Sequence, residues 1–298
     1  MTMKKSRLVL GLAILAASAA AAAAQDIQLD VPYVPTRYPV VDEMLRLAGV
    51  TKADVVYDLG CGDGRIVIGA AQKFGCRGVG FDIDPERIKE CLENARKAGV
   101  TDKVRFVQGD LFQADFHEAT VMPMYLLTTV NLKLRPKILR ELRPGSRVVS
   151  HNFGMDNWKP DAHTTVRIED VEHDVFLWIV PANISGSWAW SAVLEGKPVD
   201  FKLDVTQKFQ FPEATAKIGG KDAAVKDIKL DGDSIRFVLE GFVEGKAAVL
   251  AFEGKAFLND IAGTIQGRIE GRDAASAWKA RRNPATQKDI DDEPAWWR

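Results

Sequence analysis

From Asp54 to about Ile179, short apolar runs alternate with amphipathic stretches. From Trp188 to Trp278 that pattern stops, and apolar residues recur at every second position. The first pattern folds as a parallel sheet with right-handed crossovers. The second, punctuated by turns such as "IGGKD", "LDGDS" and "VEGKA", folds as an antiparallel meander. In the first region "DVVYDLG", "RGVGFDI", "KVRFVQGD", "TVMPMYLL" and "PGSRVVSHNF" read as strands. Helices are expected from about Gly64 to Phe74, over "DPERIKECLENARKAG" and over "NLKLRPKILREL". The middle one has Asp84 at its N-cap, Pro85 in its first turn and Gly99 past its end. Pro123 is out of place in a central strand, because it cannot donate to a ladder. The fold class is α/β, an open sheet with helices on both faces, followed by a small antiparallel β domain that is a barrel or curved sheet. In the β domain Phe201, Leu203, Val205 and Phe209 share one face, as do Ile235, Phe237 and Leu239.

With 298 residues the chain can hold two domains. The patterns assign residues 31–182 to the α/β domain and 186–283 to the β domain, leaving 284–298 as a loose polar tail that carries Trp296 and Trp297. Residues 1–24 have the grammar of an export signal. Lys4, Lys5 and Arg7 precede an apolar run from Leu8 to Ala16, and an alanine run ends in an A-x-A site at Ala22-Ala23-Ala24. The expected location is periplasmic, with an uncleaved, membrane-associated N-terminal anchor as the alternative. A net charge of -1 lacks the basic excess usual for a nucleic-acid partner. Cys61, Cys76 and Cys91 form no C-x-x-C pair, so they read as buried small residues rather than metal or redox groups.

The loop "DLGCGDGR" joins the first strand to the first helix behind it. Gly60, Gly62 and Gly64 let the backbone turn tightly and approach a ligand, and the helix N-terminus favours negative charge. Asp58 ends the first strand. Asp82 ends the second, where an acid can accept both hydroxyls of a ribose. Asp110 and Leu111 follow the third, placed for the amine and ring of an adenine. Asp63, inside the loop, is unfavourable for a pyrophosphate and harmless to a sulfonium cation. The ligand expected from these residues is S-adenosylmethionine rather than a dinucleotide.

The segment from about Val34 to Ile179, roughly half the chain, resembles the class I S-adenosylmethionine-dependent methyltransferases, which have a Rossmann-like sheet. Tyr33-Val34-Pro35-Thr36, "VVDEML" at Val40 to Leu45 and "DLGCGDGRIVI" together resemble the ATP synthase c-subunit lysine methyltransferases, and more distantly the non-SET histone lysine methyltransferases. The resemblance implies donor contacts at Asp58, Gly60, Gly62, Asp82 and Asp110, and a Tyr33–Thr36 segment folded over the donor pocket. It implies N-methylation of a protein lysine or another small amine. The sequence after the fourth strand is "MPMYLLTTVN", without the Asn-Pro-Pro-Tyr of adenine-N6 and glutamine-amide methyltransferases. The β domain has no counterpart in the family.

Methyl transfer to an amine needs a positioned, deprotonated nucleophile. Tyr125, Thr128, Thr129 and Asn131 follow the fourth strand, and His151 and Asn152 follow the fifth. Tyr125 is the expected catalytic wall or hydroxyl acceptor beside the amine, and His151 the expected base. Trp158, Trp178, Trp188 and Trp190 lie near the domain junction and are expected in the core rather than in an aromatic cage. A second reading stays open, in which the chain is an exported binding or envelope-assembly protein that keeps a methyltransferase fold.

Overall fold

The computed structural model describes residues 31–291, so the expected export signal and Trp296 and Trp297 lie outside the described residues. The α/β part runs α1 (Tyr38–Leu47), β1 (Val55–Leu59), α2 (Arg65–Phe74), β2 (Arg77–Asp82), α3 (Pro85–Ala98), β3 (Val104–Gln108), β4 (Val121–Met124), α4 (Thr128–Glu141), β5 (Arg147–His151), β6 (Ala162–Ile168) and β7 (Val171–Ile179). The strands lie in the order β3-β2-β1-β4-β5-β7-β6. β1 to β5 are parallel, whereas β7 runs antiparallel to both β5 and β6. Chain order reverses between β1 and β4, which places a ligand crevice at the C-terminal ends of these strands.

Both faces of the sheet are covered. Val40, Val41 and Met44 of α1 and Ile66 and Ala70 of α2 pack with Val56, Val121 and Val149 on one face. On the other, Val130, Leu134 and Ile138 of α4 pack with Val55, Tyr57, Leu59 and Met122. Asp84 caps α3 by accepting from Glu86 N at 2.8 Å, and Gly99 closes the helix in the left-handed conformation. Pro123 is tolerated because the β1–β4 register is confined to Val56–Val121, two residues before the missing N–H.

The β domain is a closed eight-stranded antiparallel barrel: β8 (Gly186–Leu194), β9 (Lys197–Lys208), β10 (Phe211–Ile218), β11 (Lys221–Asp231), β12 (Ser234–Val243), β13 (Lys246–Phe257), β14 (Asp260–Ile269) and β15 (Arg272–Arg282). Its interior is filled by Trp190, Phe201, Phe237, Phe252 and Trp278, whose rings meet at centroid distances of 4.7–5.9 Å. Glu195-Gly196, Glu244-Gly245 and Glu270-Gly271, all at positive φ, turn three of the hairpins. Among the described residues, no helix is long and apolar enough to cross a membrane.

The junction corrects two expectations. Phe209 does not share the barrel face of Phe201, Leu203 and Val205. It sits at φ 50° in the β9–β10 turn, leaves the barrel, and packs in the α/β core. There its ring stacks on Trp158 at 5.7 Å, and Trp158 Nε1 donates to Gln210 Oε1 at 2.9 Å. The tail is also not loose as far as Asp291. Ile290 is 3% exposed, and Asp291 accepts two 2.8 Å hydrogen bonds from the buried Arg135 of α4. Burial of a guanidinium demands such a partner. Trp158, Trp178, Trp188 and Trp190 are all core residues, the first two under the sheet and the last two inside the barrel.

Candidate active site

A pocket lies at the C-terminal ends of β1, β2, β3 and β4. Its lining includes Asp58, Gly60, Gly62, Asp82, Asp110, Leu111 and Tyr125, and every lining residue falls between Val31 and Leu126. The strand ends and the reversal of strand order bring these distant residues to one crevice. The barrel contributes none of them. His151 is absent from the lining, because it is buried one layer behind Tyr125.

The glycine loop is wired into β2. Gly60 N and Cys61 N both donate to Phe81 O at 2.8 Å, and Gly62 N donates to Asp82 Oδ2 at 2.8 Å. Gly62 is at φ 56°, and a Cβ there would run into the Tyr33 ring, so both conformation and space require glycine. Tyr33 belongs to the Val31–Thr36 strap, which lines the pocket as the resemblance implied. Two arginines hold the strap down. The Arg87 guanidinium lies 4.6 Å from the centre of the Tyr33 ring, and Arg65 Nη1 donates to Thr36 O at 2.9 Å. Neither arginine was singled out from the sequence, although Arg65 is the last residue of the "DLGCGDGR" loop.

The acids divide into two kinds. Burial alone would raise Asp63, but the bidentate hydrogen bonds from Arg65 hold it below its ordinary value. Asp63 therefore brings little net charge to the pocket. Asp58 has no such partner. Burial, with Asp82 and Asp63 nearby, pushes its pKa up to about 8. Asp82 is raised by burial too, against the hydrogen bonds it accepts from Asp84 N and Gly62 N. Asp58 and Asp82 leave the pocket short of positive charge, which suits a donor carrying a sulfonium and an ammonium. The residues thus fit S-adenosylmethionine, and Asp82, Asp110 and Leu111 line the same crevice as the glycine loop. Asp110 is exposed, and one of its oxygens accepts from Phe112 N at 2.8 Å, leaving the other for a ligand.

The expected base is corrected by the structure. His151 is 1% exposed, and both its nitrogens have neighbours: Thr36 Oγ1 at 3.4 Å and His173 Nδ1 at 2.9 Å. Burial, with His173 beside it, lowers its pKa to about 4. Such an imidazole is a poor proton acceptor for an ammonium near 10.4. It supports Tyr125 instead, whose ring stacks on it at 3.9 Å. Asn131 is also structural, donating to Phe153 O at 3.1 Å. His173 was missed because only the antiparallel insertion of β7 beside β5 brings it to His151.

A family model described as the ANTKMT methyltransferase domain matches residues 58–162. A protein-lysine N-methyltransferase of Saccharolobus islandicus is 49% identical over 151 residues, covering 50% of this chain and 94% of that protein. The chain belongs to the protein-lysine N-methyltransferase family. Within this family, the human ATP synthase c-subunit lysine N-methyltransferase is 30% identical over 140 residues, covering 47% of this chain and 59% of that protein. A solved structure described as an RNA methyltransferase of Salinibacter ruber in complex with S-adenosyl-L-homocysteine is 55% identical, with a TM-score of 0.48, covering 51% of this chain and 96% of that one. The matches to relatives cover only about half of this chain, and the family-model match ends well before the barrel begins at Gly186. The chain is thus an S-adenosylmethionine-dependent methyltransferase, and the comparisons give no support to the alternative reading of a binding protein with an idle donor site.

Proposed function

We propose that the chain transfers the methyl group of S-adenosylmethionine to the side-chain amine of a lysine in a protein. The observation that supports this is the placing of Tyr125. It is the one ring at the end of β4 that both lines the donor pocket and is braced from behind, by His151. The donor supplies an activated methyl on a sulfonium, so the chain has only to hold it, orient the amine in line and exclude water. Asp58, Asp82 and Asp110 hold the donor, and the Tyr33–Thr36 strap covers it. The Tyr125 ring forms the wall along which the lysine stem reaches the methyl. No residue here is assigned as a base. The apolar wall favours the neutral amine by desolvation, and its proton leaves through water at the pocket mouth.

The relatives named for protein lysines support this choice of acceptor, and the absence of Asn-Pro-Pro-Tyr after β4 removes the usual grip on a planar amide or base amine. The test offers separated protein and RNA fractions of a cell extract with methyl-labelled donor. Label in the protein fraction that hydrolyses to N-methyllysine supports the proposal, and label confined to RNA contradicts it.

A further inference from the structure

Cys61 and Cys91 are 30 residues apart in sequence, yet their sulfurs lie 3.8 Å apart. Both residues are free and buried. Cys61 sits in the glycine loop and lines the donor pocket, while Cys91, on α3, is fully buried beneath it. Two glycines leave room for the pair and for the Phe106 ring beside it. A Cβ at Gly80 would stand 2.7 Å from the Cys61 sulfur, and one at Gly64 would stand 3.0 Å from the Cys91 sulfur. Gly80 is a strand residue outside the positive-φ set, so space rather than backbone conformation accounts for its lack of a side chain. Cys91 Sγ also donates to Gly62 O at 3.1 Å, on a peptide that lines the pocket. The third cysteine, Cys76, is buried in a different cluster, with Val40 and Met44 of α1 and Ile66 and Ala70 of α2.

We propose that Cys61 and Cys91 are a reversible disulfide site that staples the donor loop to α3 and weakens donor binding when closed. The co-reactant is a small disulfide, and the pocket is its route in. Cys61 attacks the disulfide, forming a mixed disulfide and releasing one thiol. Cys91 then attacks the Cys61 sulfur, forming the Cys61–Cys91 bond and releasing the second thiol. Two protein thiols are oxidised, one disulfide is reduced, and the two protons leave on the released thiols. Closure brings the sulfurs from 3.8 Å to about 2.05 Å. The loop supplies the movement, since Gly60 and Gly62 flank Cys61 at positive φ. Closure also breaks the Cys91 bond to Gly62 O, so the peptide that faces the donor shifts. The hydrogen bond to Cys91 and burial both push the Cys61 thiol well above its usual range, so exchange is slow at neutral pH and quickens as pH rises.

The full chain is exposed to 2-hydroxyethyl disulfide at pH 8.5, with and without saturating S-adenosylhomocysteine, and read by intact mass and peptide mapping after alkylation. The expected product is 2 Da lighter, bridges Cys61 to Cys91, and leaves Cys76 alkylatable. It forms at least about tenfold more slowly with ligand present, because the ligand fills the route to Cys61, and it binds ligand at least about tenfold more weakly, so that by reciprocal linkage the ligand disfavours the closed bridge at equilibrium by the same factor. Peptide mapping on the unaltered chain keeps the result independent of whether Cys91→Ser folds. A mixed adduct on Cys61 that never closes, a bridge to Cys76, no reaction, or closure indifferent to ligand would each overturn the proposal.

Discussion

The Tyr125 ring lies on the His151 imidazole, with centroids 3.9 Å apart and planes 30° from parallel. The histidine is held in turn by Thr36 of the strap and His173 of β7, so the ring lining the pocket is braced through two further elements. The brace defines what each residue does. In the proposed function Tyr125 touches the acceptor, and His151 positions Tyr125.

If the ring is a wall, its face matters more than its hydroxyl. Tyr125→Phe should keep methylation within about tenfold of the parent. Tyr125→Ala should lower the single-turnover rate about a hundredfold through a misplaced amine. Single-turnover rates at saturating donor measure both, and a hydroxyl role would show Phe to be as poor as Ala.

His151 ionises at about 4 in the folded chain, below its ordinary 6.5. The folded state therefore binds fewer protons than the unfolded one between those values. Its contribution to stability is complete above pH 6.5 and is lost as pH falls toward 4. Chemical denaturation of the parent and of His151→Gln, compared across that window, should show the acid loss only in the parent. The variant should leave no histidine-like step missing from the pH profile of turnover near neutrality.

Asp58 has the opposite sign. Its folded pKa of about 8 lies above its ordinary 3.8, so the folded state holds the extra proton between them. Stability is greatest at the acid end and is lost as pH rises toward 8. Asp58→Asn should flatten that slope. Donor affinity should rise with pH in the parent, by up to about tenfold per unit below pH 8, because the donor cation favours ionised Asp58. A pH-independent affinity would remove Asp58 from the donor contacts.

Much of this site was legible before any coordinates. Asp58, Asp82 and Asp110 could be placed because strand–helix alternation orders the strand ends, and a strand end is where a parallel sheet binds. Other features depend on contacts that no local pattern carries. Nothing at His151 reveals that β7 brings His173 to it. Phe209 continues the alternation of Phe201, Leu203 and Val205, but its left-handed backbone turns it into the other core. Asp291 finds Arg135 across 156 residues of chain. The strap over the pocket came from resemblance alone, since "YVPT" has no periodicity of its own.

The insertion of Phe209 into the α/β core predicts a cooperative junction. Phe209→Ala should destabilise the chain by about 3–5 kcal/mol, as for a buried aromatic. One shared unfolding transition, followed by near-ultraviolet dichroism and by exchange in barrel and sheet alike, is expected in the parent. Two separate transitions, with only one moved by the substitution, would show the barrel and sheet to be independent units.

The most direct measurement is calorimetric titration of the chain with S-adenosylhomocysteine at pH 8, for the parent and Asp82→Ala. One site per chain is expected in the parent. Removing the carboxylate that accepts from Gly62 N, and to which the proposed function gives the ribose, should weaken binding by at least about thirtyfold, on the order of 2 kcal/mol. No binding by the parent at millimolar ligand, or equal affinity in the folded variant, would contradict the assignment of this pocket.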